Sequence, residues 1–108
     1  MAEIVLVLTT MPDDDRADAV ARALVEERLA ACVNVHGPMH STYRWKGQLE
    51  REAERQIVIK TTRERLRQLE ERLHALHPYD VPEFVVVAAD GGSRAYVDWV
   101  SNETQSLG

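Results

Sequence analysis

"STYRWKGQLEREAERQIVIKTT", residues 41–62, is the stretch on which the fold turns. Tyr43 and Trp45 stand two apart, so an extended chain carries both on one side, and Lys46-Gly47 then breaks the run with a pair suited to a tight turn. The returning segment is rich in Ile57, Val58 and Ile59, as a strand should be. The pattern predicts a hairpin with long arms. Its first arm reaches back through "AACVNV" (residues 30–35), giving strands over 31–45 and 48–61, where ~5 to 6 residues are usual.

Upstream, "EIVLVLTT" (3–10) is a near-continuous apolar run, expected of a strand covered on both faces or central in a sheet. "MPDDD" stops it, and the aspartates open a helix at the positive end of its dipole. Ala17, Val20, Ala21, Leu24 and Val25 recur at helical spacing, and the helix is expected to end near Leu29. Downstream, Thr61 with Glu64 fits a capping box, opening a helix whose buried stripe is Leu66, Leu69, Leu73 and Leu76. That helix must end by His77, because Pro78 disfavours α geometry in the residue before it. "PEFVVVAA" (82–89) reads as a fourth strand and "DGGS" as a turn. Ser93 can cap a short last helix carrying Tyr96, Trp99 and Val100 on adjacent turns.

The order β-α-β-β-α-β plus a C-terminal helix is the α+β, ferredoxin-like arrangement, with helices covering one face of a four-stranded sheet. Two short helices cannot cover so long a hairpin. Its overhang would expose Tyr43, Trp45 and unpaired strand edges, and oligomerisation is the expected remedy.

With 108 residues and 44% hydrophobic content, the chain suits one domain over 1–108. A net charge of −5 argues against a general nucleic-acid partner or an acidic membrane. The arginines are interleaved with glutamates, as in "RERLRQLEER", which describes a solvated helix face. A lone Cys32 cannot form an intramolecular disulfide, and the first apolar run is too short for a signal peptide or a membrane span. A cytoplasmic protein without membrane insertion is expected. There is no G-x-S-x-G, no phosphate-cradling glycine motif, no H-E-x-x-H and no C-x-x-C, so neither an enzyme nor an organic cofactor is expected.

Taken in this order, the strings "LAACVNV", "STYRWKGQLE", "IVIKTT", "LHPYDVPEF" and "YVDWV" make the chain resemble the CutA family of divalent-cation tolerance proteins over essentially its whole length. The resemblance implies a homotrimer of ferredoxin-like subunits, similar in architecture to the PII-type regulatory proteins, with the long hairpins paired across subunits. It also implies an association with tolerance to copper and other divalent metals, and with copper binding. In family members that carry the copper-site pattern, a cysteine ends the first strand and two adjacent histidines precede the Pro-Tyr. Here Thr9 and the pair Leu76-His77 occupy those places, so one donor of three carries over.

His77 is the first candidate metal ligand, with Asp80 or Glu83 to assist; equally, it is a hydrogen-bonded residue at a corner fixed by Pro78 and Pro82. Cys32 is a candidate soft ligand or redox sensor, or else a small apolar filler. His36, Met39 and His40 flank Gly37-Pro38, which forbid a regular helix and suggest a loop or a bulge that bends the strand, so they are a weak metal signal. His74 falls on the charged side of its helix. Lys60 could hold an anion near the start of the next helix, and together with Tyr43, Trp45, Glu54, Tyr79 and Trp99 could line an intersubunit cleft or pack a trimer interface. Three functions remain open: a metal-tolerance trimer binding copper or another divalent cation, a PII-like sensor of a small anionic ligand, and a structural scaffold.

Overall fold

The computed structural model describes residues 3–106. Its elements are β1 (Ile4–Pro12), α1 (Arg16–Glu26), β2 (Cys32–Trp45), β3 (Gln48–Thr62), a 3-10 turn (Arg63–Arg65), α2 (Leu66–Leu76), β4 (Val85–Ala88) and α3 (Arg94–Glu103). The sheet runs β2-β3-β1-β4 with every pair antiparallel, which is the ferredoxin-like order anticipated from the sequence. Among the described residues no helix is long and apolar enough to cross a membrane.

The hairpin has nearly the expected limits. Lys46 and Gly47 both take positive φ, 49° and 79°, as the two central residues of a turn that follows the strands' own twist. A register shift between His36 and Met39 marks the bulge, at Gly37, whose φ of 125° suits only glycine. Beyond it the ribbon projects past the helices. The longest dimension is 45 Å against 28 and 22 Å, and the radius of gyration is 14.5 Å where about 13 Å is usual at this length.

Strand parity divides the sheet into two faces. Val5, Val7, Thr9 and Met11 of β1, with Ile57, Ile59 and Thr61 of β3, point to the helices and are fully buried. Ala17, Val20 and Leu24 of α1 and Leu69 and Leu73 of α2 close over them. Leu6 and Leu8 of β1, Val58 of β3 and Val85 and Val87 of β4 are register partners on the other face, where they are only half-buried or exposed. Of the two readings open for β1, the structure takes the central strand, covered on one face.

Several boundaries differ from the sequence reading. β1 continues through Met11, which is a core residue, to Pro12; β4 pairs only with Val5 to Leu8, so the proline's missing N–H falls beyond it. Helix α1 stops at Glu26, short of Leu29, because Arg28 turns left-handed (φ 61°) and the amides of Leu29 and Ala30 close back on the Leu24 carbonyl. Arg28 then donates to the Asn102 and Glu103 carbonyls at the C-terminal end of α3, where positive charge is favoured. β4 is four residues, starting after Pro82, Glu83 and Phe84. Ser93 caps α3 as expected, accepting from the Tyr96 amide, but Val97 and Val100 are the buried residues of that helix while Tyr96 and Trp99 stack on each other outside.

The capping box is absent. Thr61 belongs to β3, and its hydroxyl donates to the buried Leu29 carbonyl at 2.8 Å; the helix starts through the 3-10 turn instead. Thr9, on the same face, has a buried hydroxyl with no hydrogen-bond partner among the described residues. The two threonines should respond oppositely to the same change. Thr61→Val should cost about 1–3 kcal/mol by stranding the Leu29 carbonyl, whereas Thr9→Val should be neutral or stabilise by about 1 kcal/mol, as read from urea midpoints at constant slope.

Candidate functional site

The segment after α2 carries the chain round the end of β1 and onto the sheet's open face. His77 is its pivot. The residue is 8% exposed and leaves helical geometry (φ −83°, ψ 137°), as the following proline requires. Its Nε2–H donates to the Thr10 carbonyl at 2.7 Å and its Nδ1 accepts the Tyr79 amide at 3.2 Å, which assigns the neutral Nε2–H tautomer. Both ring nitrogens are engaged. Burial is the main cause pushing its pKa below the usual histidine value, against the opposing pull of the Thr10 hydrogen bond.

From this pivot Tyr79 extends across the open face, its ring 4.8 Å from the imidazole, and its hydroxyl donates to Glu54 Oε2 at 2.7 Å. Burial, then the bond to Glu54, raises the phenol's pKa well above its ordinary value, so Tyr79 is the proton donor of the pair. Glu54 is 5% exposed. Gln56, two residues on, donates to the Thr9 carbonyl at 2.7 Å and to Glu83 Oε2 at 3.3 Å, which ties the loop down a second time.

These groups border a cleft of about 730 Å³ between the ribbon and the 78–83 loop. Tyr43, Trp45, Glu54 and Tyr79 meet in it within one chain, and Asp80 and Glu83 enter from the loop. Lys60 and Trp99 do not line it. Lys60 lies six residues along β3 from Glu54, roughly 20 Å away at a strand's rise, opposite Cys32 and Leu6. Trp99 is on the outside of α3. No lysine or arginine is among the lining residues.

The sequence reading missed a row. Glu50, Glu52, Glu54 and Gln56 alternate along β3 on the open face, opposite Tyr43, Ser41, Met39 and His36. The period-2 spacing of three glutamates, with Arg51 and Arg55 at the intervening places, was the available signal. Burial together with Glu52, Glu54 and Glu50 raises the pKa of the Tyr43 hydroxyl.

The other candidates are dispersed. Cys32 is a partly buried free thiol on the open face, its Sγ 3.9 Å from Asn34 Oδ1. The register sets it opposite Lys60 and hence Leu6, roughly 13 Å along the sheet from Thr10, where His77 is anchored. His36 pairs with Gln56 and His40 with Ala53, so the bulge turns the two histidines to opposite faces. His74 is exposed and bonded to the Glu70 carbonyl. Among the described residues no three His, Cys, Asp or Glu side chains gather as a metal site.

Comparison with known proteins gives a consistent result. The sequence model described as CutA1 divalent ion tolerance protein matches residues 5–103. The divalent-cation tolerance protein CutA of Thermus thermophilus is 45% identical over 104 residues, covering 96% of this chain and 99% of that protein. A chloroplastic CutA protein of Arabidopsis thaliana is 36% identical over 94% of this chain, which spans 56% of its length. The solved structure of a divalent cation tolerance protein from Thermus thermophilus superposes with a TM-score of 0.91 at 44% identity, covering 94% of this chain and 99% of that one.

The buried imidazole makes stability pH-dependent. Because the folded pKa of His77 lies below its unfolded value near ~6.5, the unfolded chain takes up the proton first as pH falls, so stability declines below about pH 6.5 and levels off under the folded pKa. The stability difference between the parent and His77→Gln, measured by urea unfolding, should therefore shrink from pH 7.5 to pH 5. A constant difference would show that the imidazole does not titrate differently on folding.

Proposed function

As the chain belongs to the CutA1 family, whose curated relatives are named divalent-cation tolerance proteins, we propose that it is a non-enzymatic homotrimer serving divalent-cation tolerance. The observation that carries the assembly is the open face of the sheet. Leu6, Leu8, Val58, Val85 and Val87 form a contiguous, half-buried to exposed apolar patch that none of the described elements packs over, and a projecting ribbon stands beside it. Patches of this kind mark interaction surfaces, and a second copy is the partner that the family reading provides. A cytoplasmic location suits the free thiol of Cys32.

The donors of one protomer do not fit a copper site. Thr9 and Leu76 stand where the family's other donors would, Cys32 is remote from His77, and His77 can bind metal only by surrendering a hydrogen bond. Cys32 is better placed, because it lies on the face where copies would approach one another and thiolate suits copper(I). The metal in this reading is cargo, shared between protomers. A sensor of a small anionic ligand has less support, since the cleft carries three carboxylates and no lining cation. The scaffold reading has no specific observation in its favour.

Light scattering should give three times the 12.3 kDa chain mass, and Leu8→Glu with Val58→Glu should reduce it to one. In copper(I) titrations against a competing chelator at matched assembly, Cys32→Ala should abolish binding and His77→Ala should leave it within about twofold. Binding retained in both variants would make tolerance independent of these residues.

A further inference from the structure

We propose that His77 is an acid-operated latch: when its Nδ1 takes a proton from solvent, the loop over residues 78–82 is released from the sheet and uncovers Glu54, while the core stays folded. The opening occurs within the folded chain and is distinct from its unfolding. It is also independent of the metal reading, since no metal site forms around His77 among the described residues and the thiol of Cys32 lies roughly 13 Å along the sheet from the latch's anchor.

The loop is lightly held. From Pro78 to Pro82 its hydrogen bonds among the described residues are the two made by Tyr79, one from the amide to His77 Nδ1 at 3.2 Å and one from the hydroxyl to Glu54 Oε2 at 2.7 Å. Val81 is 70% exposed. Fixed points lie on either side, because the His77 amide closes α2 on the Leu73 carbonyl and Glu83 takes the Gln56 side-chain amide. A proline at each end of the segment restricts its φ, so Tyr79 and its neighbours move together.

Protonation acts on the two ring bonds in opposite ways. Nε2–H donates to the Thr10 carbonyl in either charge state, and a positive ring strengthens that bond. Nδ1 accepts only while the ring is neutral; with a proton there, two N–H donors face each other across 3.2 Å. The tether to Tyr79 is lost and the anchor to β1 holds. Tyr79 is then kept in place by its hydroxyl alone, and water replaces the phenol on the Glu54 carboxylate, which is 5% exposed in the closed form.

Burial is the main cause that keeps the closed form's pKa below the ordinary histidine value. Around the ring, the Thr10 hydrogen bond and Glu54 of β3 favour the proton, while His74 of α2 and Arg16 of α1 oppose it. On the loop side Tyr79 keeps its own proton, and Asp80 and Glu83 border the cleft. Departure of the Tyr79 ring, 4.8 Å away when closed, uncovers the imidazole and lets its pKa rise toward ~6.5. The open form therefore binds the proton more tightly. It gains on the closed form as pH falls below about 6.5 and stops gaining beneath the closed form's pKa.

The test is NMR of the nitrogen-15-labelled full chain in its native assembly between pH 8 and pH 5, following the His77 ring nitrogens and the exchange of backbone amides corrected for their intrinsic rates. We expect the Tyr79 amide to lose protection by roughly threefold or more as the ring titrates, with Val7 and Ile59 of the core unchanged. Tyr79→Phe should lower the protection of that amide at every pH and keep its pH dependence. His77→Gln retains a donor and an acceptor without a titrating group, and its Tyr79 amide should not respond to pH. Should that variant fail to fold, the comparison of Tyr79 with Val7 and Ile59 in the parent decides. A ring that titrates while the Tyr79 amide stays protected, protection lost equally at Tyr79, Val7 and Ile59, or a pH response that persists in His77→Gln would each overturn the proposal.

Discussion

The register of β3 governs nearly everything else in the molecule. β3 is paired to β1 over residues 54–62 and to β2 along almost its whole length, so its parity sets the parity of both neighbours. With Ile57, Ile59 and Thr61 turned to the helices, Val58 and Lys60 must face away, and so must Gln56, Glu54, Glu52 and Glu50 farther up. A slip of one residue would exchange the two sets, burying charge beneath α1 and α2 and exposing the isoleucines. The core therefore enforces the position of groups that take no part in it. The acidic row and the apolar patch are placed by the packing of the opposite face.

What could be read in the chain follows from the range of the forces involved. The hairpin, the leucine stripe of α2, the proline that ends it and the cap at Ser93 are local patterns, and they appear close to where spacing puts them. Thr61 and Glu64 satisfied a local pattern as well, but a tertiary hydrogen bond to Leu29 claimed the hydroxyl and the cap was lost. Pro12 looked like a terminator because a proline interrupts most strands; how far β4 would extend is a non-local fact. The apolar β1 run allowed two readings, and no single-chain argument separates a second covering layer from a second subunit.

The site was legible in part for the same reason. Tyr43 and Trp45 share a strand face, Tyr79 follows the corner fixed by Pro78, and Glu54 lies across the hairpin from Met39, so four of the residues selected from sequence converge. Lys60 lies roughly 20 Å from Glu54 along β3 of the same chain, a separation that residue type alone does not reveal. His77 drew attention as a donor, and in the structure it fastens the loop: its two hydrogen bonds join the end of α2 to the β1 backbone and to Tyr79, and thereby aim the phenol at Glu54. A histidine's residue type announces both roles alike, and only its partners separate them.

The open face itself is divided. Below Gln56 it is mainly apolar, with Leu6, Leu8, Val58 and Val87 in register and Lys60 and Asn34 beside them; above Gln56 it carries Glu54, Glu52 and Glu50, successive residues roughly 6.6 Å apart at a strand's spacing. Apolar patches on several copies can merge at no electrostatic cost, while merged glutamate rows would repel strongly in a site shielded from water. The lower face is thus suited to contact between copies and the upper face to a cavity beside that contact. Arg51 and Arg55 could have neutralised the row, yet parity holds them on the reverse side, where Arg55 pairs with Asp13 at 2.8 Å. Segregating the charges in this way forgoes cross-strand ion pairing along the ribbon, and it leaves an unbalanced negative field over the aromatic walls of the cleft.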